Sequence, residues 1–416
     1  MDTWIAYGKE KIIFPLPNNA QVTEILLPVH APVMPPQDII RHALDAPIGT
    51  PQLAGIIKPG QSICIICDDI TRPTPAELIL DELLPRLHSI GVHREDIFIL
   101  FALGSHRPMT RAEIEKKIGR KHADAYRVVQ SEFSDASSSK EMGKSAAGRP
   151  ILINRAAAEA DIRIGIGNIV PHNTLGWSGG GKILFPGIAD ESTVAEFHMQ
   201  AALHDARVFG VPDNPIRLEI ENWAKDVGLH FIVNTILSRE NAVLGCVAGH
   251  YVAAHRAGVE KAKLVYGVKV AEQADVVITD MEPYSFDFWQ GTKGLNAANL
   301  IVKDGGTVIL AGPCGEGVGP HPEYLDFMGM RGKSSPDTMD LSDKDPLAVS
   351  VGYMIGKLMA RFHTCAYTQG LTEKELKVAG IRKILDIGSE LAALASNANK
   401  PLKIAIIRDG AEVLPL

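Results

Sequence analysis

Short clusters of charged and polar side chains follow several apolar segments of this sequence. The first cluster covers residues 68–73, directly after an apolar run that ends at Cys67, and it contains Asp69, Thr71 and Arg72. A guanidinium held at such a point can bind a carboxylate or a phosphate through two parallel hydrogen bonds. A structural ion pair between an aspartate and Arg72 explains the same residues equally well. The cluster alone leaves both interpretations open.

Two further clusters each present one histidine. His106 lies in Gly-Ser-His-Arg-Pro at 104–108, directly after the apolar run 97–103, and His172 lies in a polar segment that begins at Pro171. An imidazole at the end of a buried strand suits a general acid or base, because it titrates near neutral pH. A capping or core histidine is the commoner alternative for a single histidine.

The most informative cluster ends in Ser178, three consecutive glycines and Lys182. Glycines such as Gly179 and Gly180 let backbone N–H groups approach an anion closely, and lysine adds a positive charge. The spacing matches a phosphate-binding loop, but Ile183 replaces the hydroxyl residue that would bind magnesium. The pattern predicts an anion-binding loop and argues against a nucleotide triphosphatase, with a flexible surface turn as the alternative.

His198 is placed by helical spacing. Val194, Phe197, His198 and Ala201 recur at the interval that puts side chains on one face of a helix. We therefore expect His198 to point inward. A neutral imidazole in a dry pocket suits nickel, copper or zinc, while a hydrogen-bonded core histidine is the commoner explanation.

A cluster in the second half of the chain contains Trp289, Gln290 and Lys293. Lys293 falls on the first turn of a predicted helix, where the helix end already carries partial positive charge. A bound anion would explain a lysine there, and a solvated surface lysine is the alternative. Residues 313–345, rich in Gly, Pro and Asp, are predicted to form a functional loop.

The segments that must position these clusters alternate between short apolar runs and amphipathic stretches. This alternation is typical of mostly parallel sheets covered by helices. Strands are predicted at 62–67, 97–103, 161–166, 230–236, 275–280, 306–311 and 402–407. Helices are predicted at 75–90, 111–118, 192–203, 215–226, 250–264, 292–302, 346–361 and 386–396.

The predicted fold class is α/β with two domains, each a mostly parallel sheet flanked by helices. A new alternating set begins after 266–274, so the domains are predicted at 1–268 and 269–416. The last strand, 402–408, can return to either sheet. Ligands bind beyond the carboxyl ends of strands in such sheets, so we expect the active site in the cleft between the domains.

Composition argues against several classes of function. The net charge of −7 argues against nucleic-acid binding, and no apolar stretch reaches the roughly 20 residues that cross a membrane. The first residues lack the pattern of a secretory signal, and the five cysteines are scattered, which indicates a cytoplasmic protein. Cys64 and Cys67 lie in one apolar run and are predicted to be buried thiols.

Taken in order, the clusters resemble the nickel-pincer nucleotide-dependent lactate racemase family. Each motif is weak alone, whereas their order over residues 69–294 is specific. The motifs are Asp-x-Thr-Arg-Pro at 69–73, Gly-x-His-Arg-Pro at 104–108, the His172 segment, Ser-Gly-Gly-x-Lys at 178–182, Pro-Gly-Ile-Ala at 186–189 and Gln-x-x-Lys-Gly at 290–294.

The resemblance implies a cofactor, the nickel-pincer nucleotide (pyridinium-3,5-bisthiocarboxylic acid mononucleotide nickel). It implies covalent attachment at Lys182 through a thioamide, and His198 as the protein ligand to nickel. The cofactor-binding residues would be Lys182, Asp69, Thr71, Ser178, Gly179 and Gly180, in an N-terminal cofactor-binding domain. The C-terminal domain would close over the substrate. Separate maturation proteins would build the cofactor.

The resemblance also implies an isomerase, a racemase or epimerase that inverts C2 of a 2-hydroxy acid by a hydride relay through the cofactor. His106 and His172 would be the paired acid and base. The small-molecule substrate would be bound by Arg72, Lys293, Gln290 and Trp289. The sequence departs from the lactate enzymes, because Trp289 replaces a tyrosine and a pocket tryptophan is missing near Tyr353, so a substrate other than lactate is predicted.

Two alternatives remain open from the sequence. The first is a sugar-acid epimerase or isomerase that binds a simple divalent metal through His106, His172 and His198. The second is a non-catalytic nucleotide-binding sensor whose glycine loop holds a phosphate. Neither nucleic acid nor a membrane is expected as a partner.

Overall fold

The computed structural model describes residues 2–204 and 208–416. It forms two compact units, which we call the N-terminal and C-terminal units. The N-terminal unit consists of Val29–Phe197 and Gly210–Val265. The C-terminal unit consists of Met1–Pro28, His198–Phe209 and Tyr266–Leu416.

The described residues form the following strands and helices. The strands are β1 (Asp2–Tyr7), β2 (Glu10–Pro15), β3 (Gln21–Ile25), β4 (Ile63–Asp68), β5 (Ile97–Ala102), β6 (Arg127–Gln130), β7 (Ser139–Lys144), β8 (Pro150–Asn154), β9 (Ile162–Asn168), β10 (Pro171–His172), β11 (Gly176–Trp177), β12 (Phe231–Leu237), β13 (Val243–Gly249), β14 (Gly267–Val268), β15 (Ala274–Asp280), β16 (Val302–Ala311), β17 (His363–Tyr367), β18 (Arg382–Lys383), β19 (Lys403–Ile407) and β20 (Leu414–Pro415). The helices are α1 (Pro36–Asp45), α2 (Leu53–Ile56), α3 (Ala76–Ser89), α4 (Arg111–Ile118), α5 (Arg120–Ala125), α6 (Arg155–Glu159), α7 (Glu191–Leu203), α8 (Pro215–Val227), α9 (Ala253–Tyr266), α10 (Phe288–Gly291), α11 (Gly294–Ile301), α12 (Tyr324–Gly329), α13 (Pro346–Met359), α14 (Glu373–Val378) and α15 (Ile387–Ser396).

The N-terminal unit is built on a six-stranded sheet in the order β13-β12-β9-β4-β5-β6. β13 runs antiparallel to β12, and the other strands are parallel. Along the chain, β4, β5 and β6 extend the sheet in one direction, and β9, β12 and β13 extend it in the other. The direction therefore reverses between β4 and β9, which opens the crevice where such sheets bind ligands.

The C-terminal unit contains an all-parallel sheet in the order β18-β17-β16-β15-β19-β3. Here the direction reverses between β15 and β19. β19 pairs with β15 on one side and with β3 on the other, so the last predicted strand joins the C-terminal sheet. The prediction of an α/β fold with mostly parallel sheets flanked by helices is confirmed.

The N-terminal segment differs most from the predicted domain division at 268. The hairpin of β1 and β2 contributes Ile5 and Phe14 to the core of the C-terminal unit, and β3 pairs with β19 from Gln21 and Lys403 to the ends of both strands. Residues 2–28 therefore pack with the C-terminal unit, whereas the division at 268 assigned them to the first domain. A pairing between segments so far apart leaves no trace in local periodicity.

The cysteines and the helix at 292–302 can be traced from sequence to structure. All five cysteines are buried and free, as predicted for Cys64 and Cys67, and burial raises the pKa of both of these thiols far above the usual range. The predicted helix 292–302 is α11, preceded by the single turn α10. Among the described residues, no helix is both long and apolar enough to span a membrane.

Candidate active site

The first two polar clusters meet at the carboxyl edge of the N-terminal sheet. Asp69 follows β4, His106 follows β5, and the two strands are parallel neighbours. The Nδ1 atom of His106 lies 2.7 Å from Oδ2 of Asp69. Parallel pairing therefore places this carboxylate against this imidazole, and the two residues form one acid–base pair.

The Asp69 carboxylate is buried, yet it is ionised. Burial acts to raise the pKa of Asp69. Three neighbours outweigh burial and lower this pKa to about 2: the hydrogen bond with His106, the hydroxyl of Thr71 at 2.6 Å and the charge of Arg72. An ionised carboxylate accepts a hydrogen bond, so Nδ1 of His106 carries the proton. When the His106 ring is neutral, its unprotonated Nε2 atom is therefore the proton acceptor.

Arg72 is not the partner of either neighbouring aspartate. Asp69 bonds His106, and Asp68 forms an ion pair with Lys117 at 2.7 Å. Within the described residues, the Arg72 guanidinium makes no ion pair. The alternative of a structural ion pair between an aspartate and Arg72 is therefore wrong.

His172 is held in the opposite tautomer. Its Nδ1 atom accepts hydrogen bonds from the backbone N–H groups of Thr174 at 3.2 Å and Leu175 at 3.3 Å. Nδ1 therefore carries no proton, and the neutral ring bears its hydrogen on Nε2. Nε2 of His172 can accept a proton only when the ring hydrogen has moved to Nδ1. That move breaks the two hydrogen bonds from the backbone N–H groups.

The glycine loop, residues 176–181, packs tightly against the rest of the N-terminal unit. Gly179 and Gly180 both have positive φ, and a Cβ atom on Gly179 would lie 2.8 Å from Oδ1 of Asn234, while one on Gly180 would lie 3.0 Å from the His255 ring. The Ser178 hydroxyl donates to the Asn168 carbonyl at 2.7 Å. The glycines thus serve the loop's own packing, and a cofactor contact of this loop stays a prediction.

Three buried polar residues that the sequence analysis missed fix this loop. Arg217 donates to the carbonyls of Leu175, Trp177 and Gly179. The Asn234 side chain accepts a hydrogen bond from the N–H of Gly180 at 2.9 Å. Nε2 of His255 lies 2.8 Å from the Ser178 carbonyl. Asn234 had a signal in the sequence, because it interrupts the apolar strand Phe-Ile-Val-Asn-Thr-Ile-Leu. Arg217 and His255, on helices, had none.

Lys182 follows the loop in a short turn of 3₁₀-helix, Gly180–Ile183. Burial and the positive charge of Arg72 lower the pKa of Lys182 to about 7, with Arg217 acting in the same direction. A large share of the amine is therefore neutral at neutral pH, which makes it a nucleophile. The backbone N–H of Gly104 donates to the carbonyl of Gly187 at 2.9 Å and ties the His106 segment to the residues that follow this turn.

His198 lies in α7, on the face predicted for it. Val194 and Phe197 are each 1% exposed and Ala201 is 9% exposed, whereas His198 itself is only partly buried. This part of α7 groups with the C-terminal unit, and Lys182 belongs to the N-terminal unit. That Lys182 and His198 hold the same cofactor stays a prediction.

The cluster of the C-terminal unit lies beyond β15. Gln290 lies on α10, and its Oε1 atom is buried without a hydrogen-bond partner in the described residues. The ammonium of Lys293 lies 4.2 Å from the centre of the Tyr284 ring. Tyr353 is buried in α13 with the Lys357 ammonium 5.5 Å from its ring. Buried amide oxygens are rarely left without a donor, and a substrate contact of Gln290 stays a prediction.

Within the described residues, no group of three or more His, Cys, Asp or Glu side chains is arranged to hold a metal ion.

Comparison with known proteins identifies the family. Residues 7–210 match the family model described as the lactate racemase N-terminal domain. The lactate racemase of Thermoanaerobacterium thermosaccharolyticum is 30% identical over 432 residues, which cover 99% of this chain and 98% of that protein. The chain belongs to the lactate racemase family.

Other members and structures extend this result. The lactate racemase of Lactiplantibacillus plantarum is 33% identical over 292 residues, which cover 69% of this chain and 68% of that protein. A solved structure of the lactate racemase apoprotein from T. thermosaccharolyticum matches with a TM-score of 0.88 at 28% identity, over all of both chains. A Thermotoga maritima protein shares the fold at 19% identity, with a TM-score of 0.68 over 91% of this chain and 98% of that one. The predicted family and the isomerase class are confirmed.

Proposed function

We propose that this enzyme is a racemase or epimerase that inverts C2 of a 2-hydroxy acid with a nickel-pincer nucleotide, and that its substrate is not lactate. Membership of the lactate racemase family supports the reaction class. The observation that carries the cofactor assignment is Lys182, a lysine whose pKa of about 7 supplies a neutral amine beside the glycine loop. The replacement of the lactate pocket residues supports the change of substrate.

The residues present fit this cofactor. Formation of a thioamide requires attack by an unprotonated amine, and burial together with Arg72 provides one at Lys182. The fixed loop 176–181 would hold the nucleotide next to this amine, with Asp69, Thr71, Ser178 and the glycines as predicted contacts. His198, with an imidazole suited to nickel, is the proposed protein ligand. When bound, the group would supply a carbon that exchanges hydride with C2 of the substrate.

The chain's own residues move the protons. His106, oriented by ionised Asp69, accepts the hydroxyl proton of one enantiomer at Nε2. His172 serves the opposite face, and it does so after its Nδ1 atom leaves the N–H groups of Thr174 and Leu175. Inversion needs an acid or base on each face, and the two histidines supply them.

The substrate carboxylate is assigned to Arg72 and Lys293. Arg72 lacks an ion pair in the described residues, so its charge is available for an anion. Gln290 offers an unpartnered acceptor to a substrate hydroxyl. Holding the carboxylate with two cations keeps the reacting centre oriented through the inversion.

The proposal is tested on protein purified from a host that makes the cofactor, because maturation proteins are the expected source of the group. Intact mass should show an adduct with one nickel per chain, and holo-protein should racemise or epimerise a 2-hydroxy acid in a chiral assay. Lys182→Ala should lose both the adduct and turnover. Lys121→Ala, which changes an exposed lysine paired with Asp81, should keep both.

The outcomes separate this proposal from its alternatives. Turnover with a simple divalent metal and no added mass would establish the sugar-acid epimerase or isomerase. Ligand binding without turnover in protein shown to carry the cofactor would establish a sensor. A cytoplasmic location also stays a prediction, which fractionation of the source cells would check.

A further inference from the structure

We propose that Trp289, His321 and Tyr324 form a subsite for a hydroxylated substituent, so that the substrate is a 2-hydroxy acid with at least one further hydroxyl group. We call these three residues the aromatic subsite. The inference rests on the function proposed above, and it adds the class of substrate and two residues, His321 and Tyr324, that the resemblance did not assign.

The aromatic subsite is one packed group of rings. The centre of the Trp289 ring lies 4.8 Å from that of His321 and 5.0 Å from that of Tyr324, the latter at an interplanar angle of 80°. Trp289 directly precedes Gln290, the proposed substrate residue, so the subsite adjoins that position along α10. Trp289 is itself one of the predicted substrate residues, so a substituent on the carbon next to C2 would have its ring as a neighbouring surface.

Backbone hydrogen bonds hold the loop that carries His321 against α10. The N–H of Phe288 donates to the Gly317 carbonyl at 2.9 Å, and the N–H of Trp289 donates to the Val318 carbonyl at 3.0 Å. A Cβ atom on Gly319 would lie only 2.7 Å from Cβ of Trp289, so the loop reaches this position because residue 319 is glycine. The rings are thus placed by the fold before any ligand arrives.

Two polar atoms of this region are buried without partners in the described residues. One is the hydroxyl of Tyr324, a residue that is 0% exposed, and the other is Oε1 of Gln290. Native proteins rarely leave such atoms unsatisfied. A ligand hydroxyl can accept from the tyrosine hydroxyl or donate to the amide oxygen, whereas a methyl group can do neither.

The charges around the subsite favour a neutral substituent over a second carboxylate. Nδ1 of His321 lies 2.5 Å from the Asp345 carboxylate. The Asp287 carboxylate lies beside Gly319. Burial is the main cause that raises the pKa of Tyr324, and the negative charge of Asp287 adds to it. Two carboxylates would repel a third. A hydroxylated carbon has no such penalty, and its C–H groups can pack on the indole ring of Trp289.

The test compares three acids on the cofactor-loaded enzyme. Glycerate carries a hydroxyl on C3, 2-hydroxybutyrate replaces that hydroxyl with a methyl group of similar size, and malate replaces it with a carboxylate. We expect kcat/KM for glycerate to exceed that for either of the other acids by at least about tenfold, because a site built to bind a hydroxyl discriminates against an analogue that lacks it.

Variants locate the effect. Tyr324→Phe and His321→Leu should each lower kcat/KM for glycerate by about tenfold and leave that for 2-hydroxybutyrate nearly unchanged. Two matched controls lie in the N-terminal unit. Tyr126→Phe removes a hydroxyl that bonds His88, and His122→Leu removes a histidine paired with Asp81 at 2.7 Å. Both controls should leave the ratio of the two substrates as in the wild type.

The results distinguish this inference from the function on which it rests. If none of the acids is inverted by enzyme shown to carry nickel and the adduct, the proposed function fails. If the acids are inverted but 2-hydroxybutyrate or malate equals glycerate, the function stands and the subsite is refuted. An equal loss on glycerate and 2-hydroxybutyrate in Tyr324→Phe would also refute it, because that pattern indicates general disruption.

Discussion

At the scale of single residues, the hydrogen bond between Asp69 and His106 decides which ring nitrogen can accept a proton. The hydrogen bonds place the hydrogen of a neutral His106 on Nδ1 and that of a neutral His172 on Nε2, so they favour different tautomers of the two proposed acid–base residues. The sequence predicted both histidines but gave no indication of this difference. It depends on Asp69 in one case and on two backbone N–H groups in the other.

Replacing Asp69 with asparagine tests its role in positioning His106. The amide of Asp69→Asn can donate to Nδ1, which would move the ring hydrogen to Nε2 and remove the proton acceptor. We expect kcat of the loaded enzyme to fall by about 10²- to 10⁴-fold with little change in KM. Nitrogen NMR of the histidine rings should show His106 changing tautomer.

Asp81→Asn is the matched control, because Asp81 pairs with His122 at the same distance of 2.7 Å away from the proposed site. Full activity in Asp69→Asn, or an equal loss in Asp81→Asn, would contradict the positioning role.

The pKa of Lys182 makes a prediction about its reactivity in the apoprotein. Because burial and Arg72 lower the pKa to about 7, the neutral amine should dominate above that pH and disappear below it. Acylation of Lys182 by a small amine-selective reagent, followed by peptide mass spectrometry, should reach half its maximal rate near pH 7. Lys121, whose bond to Asp81 raises its pKa, should require far higher pH in the same sample. A half-maximal rate for Lys182 above pH 9 would contradict the proposed neutral amine.

At the scale of elements, the glycine loop depends on helices and strands that are distant in sequence. The fully buried guanidinium of Arg217 on α8 bonds two carbonyls of the loop and the carbonyl of Leu175 just before it, and its charge lies close to Glu221. Asn234 on β12 and His255 on α9 complete the support. The loop's shape is therefore a property of three elements, although its motif occupies only a few residues.

Arg217→Met should destabilise the N-terminal unit and alter Lys182. Loss of the guanidinium leaves buried carbonyls and Glu221 without this partner, which should cost about 3–5 kcal/mol of unfolding free energy. Removal of its positive charge should also raise the pKa of Lys182. Denaturant unfolding and the acylation profile measure the two effects. Arg120→Met, at an arginine that is 81% exposed, should change neither the unfolding free energy nor the pKa of Lys182. An Arg217→Met variant as stable as the wild type would contradict the role of Arg217 in stabilising the loop.

The sequence predicted the elements whose burial is visible locally. Strands such as β4 and β5 are apolar over nearly their whole length, because helices cover both faces of a parallel sheet. β17, with the sequence His-Thr-Cys-Ala-Tyr, was missed because its polar residues hide its place between two neighbouring strands. The motifs predict which loops carry the candidate site, and this stays a prediction. The role of Arg217 could not be found from the sequence, because only three-dimensional contacts connect it to the glycine loop.

At the scale of the whole molecule, the N-terminal segment belongs to the C-terminal unit. Residues 2–28 supply the hairpin of β1 and β2 and the edge strand β3, and Ile5 and Phe14 are buried in that unit's core. The unit is therefore assembled from distant parts of the chain. This arrangement explains why a single cut at residue 268 describes the sequence pattern but not the packing.

Deletion of residues 2–28 should destabilise one unit more than the other. Without β3, the β19 strand loses a row of hydrogen bonds and the core beneath the hairpin becomes exposed to water. Hydrogen exchange should show β19 losing protection by at least about tenfold, while β4 in the N-terminal unit keeps its protection. Equal loss of protection in both strands, or none in β19, would contradict the assignment of this segment.

The pairing of β3 with β19 also has a consequence for how the chain matures on the ribosome. β3 is synthesised long before β19, its sole sheet neighbour in the described structure. At translation rates of roughly 5–20 residues per second, β3 waits for on the order of 20–80 seconds before that neighbour exists. During this interval the nascent hairpin exposes Ile5 and Phe14, so the early segment offers chaperones a target that the finished enzyme conceals.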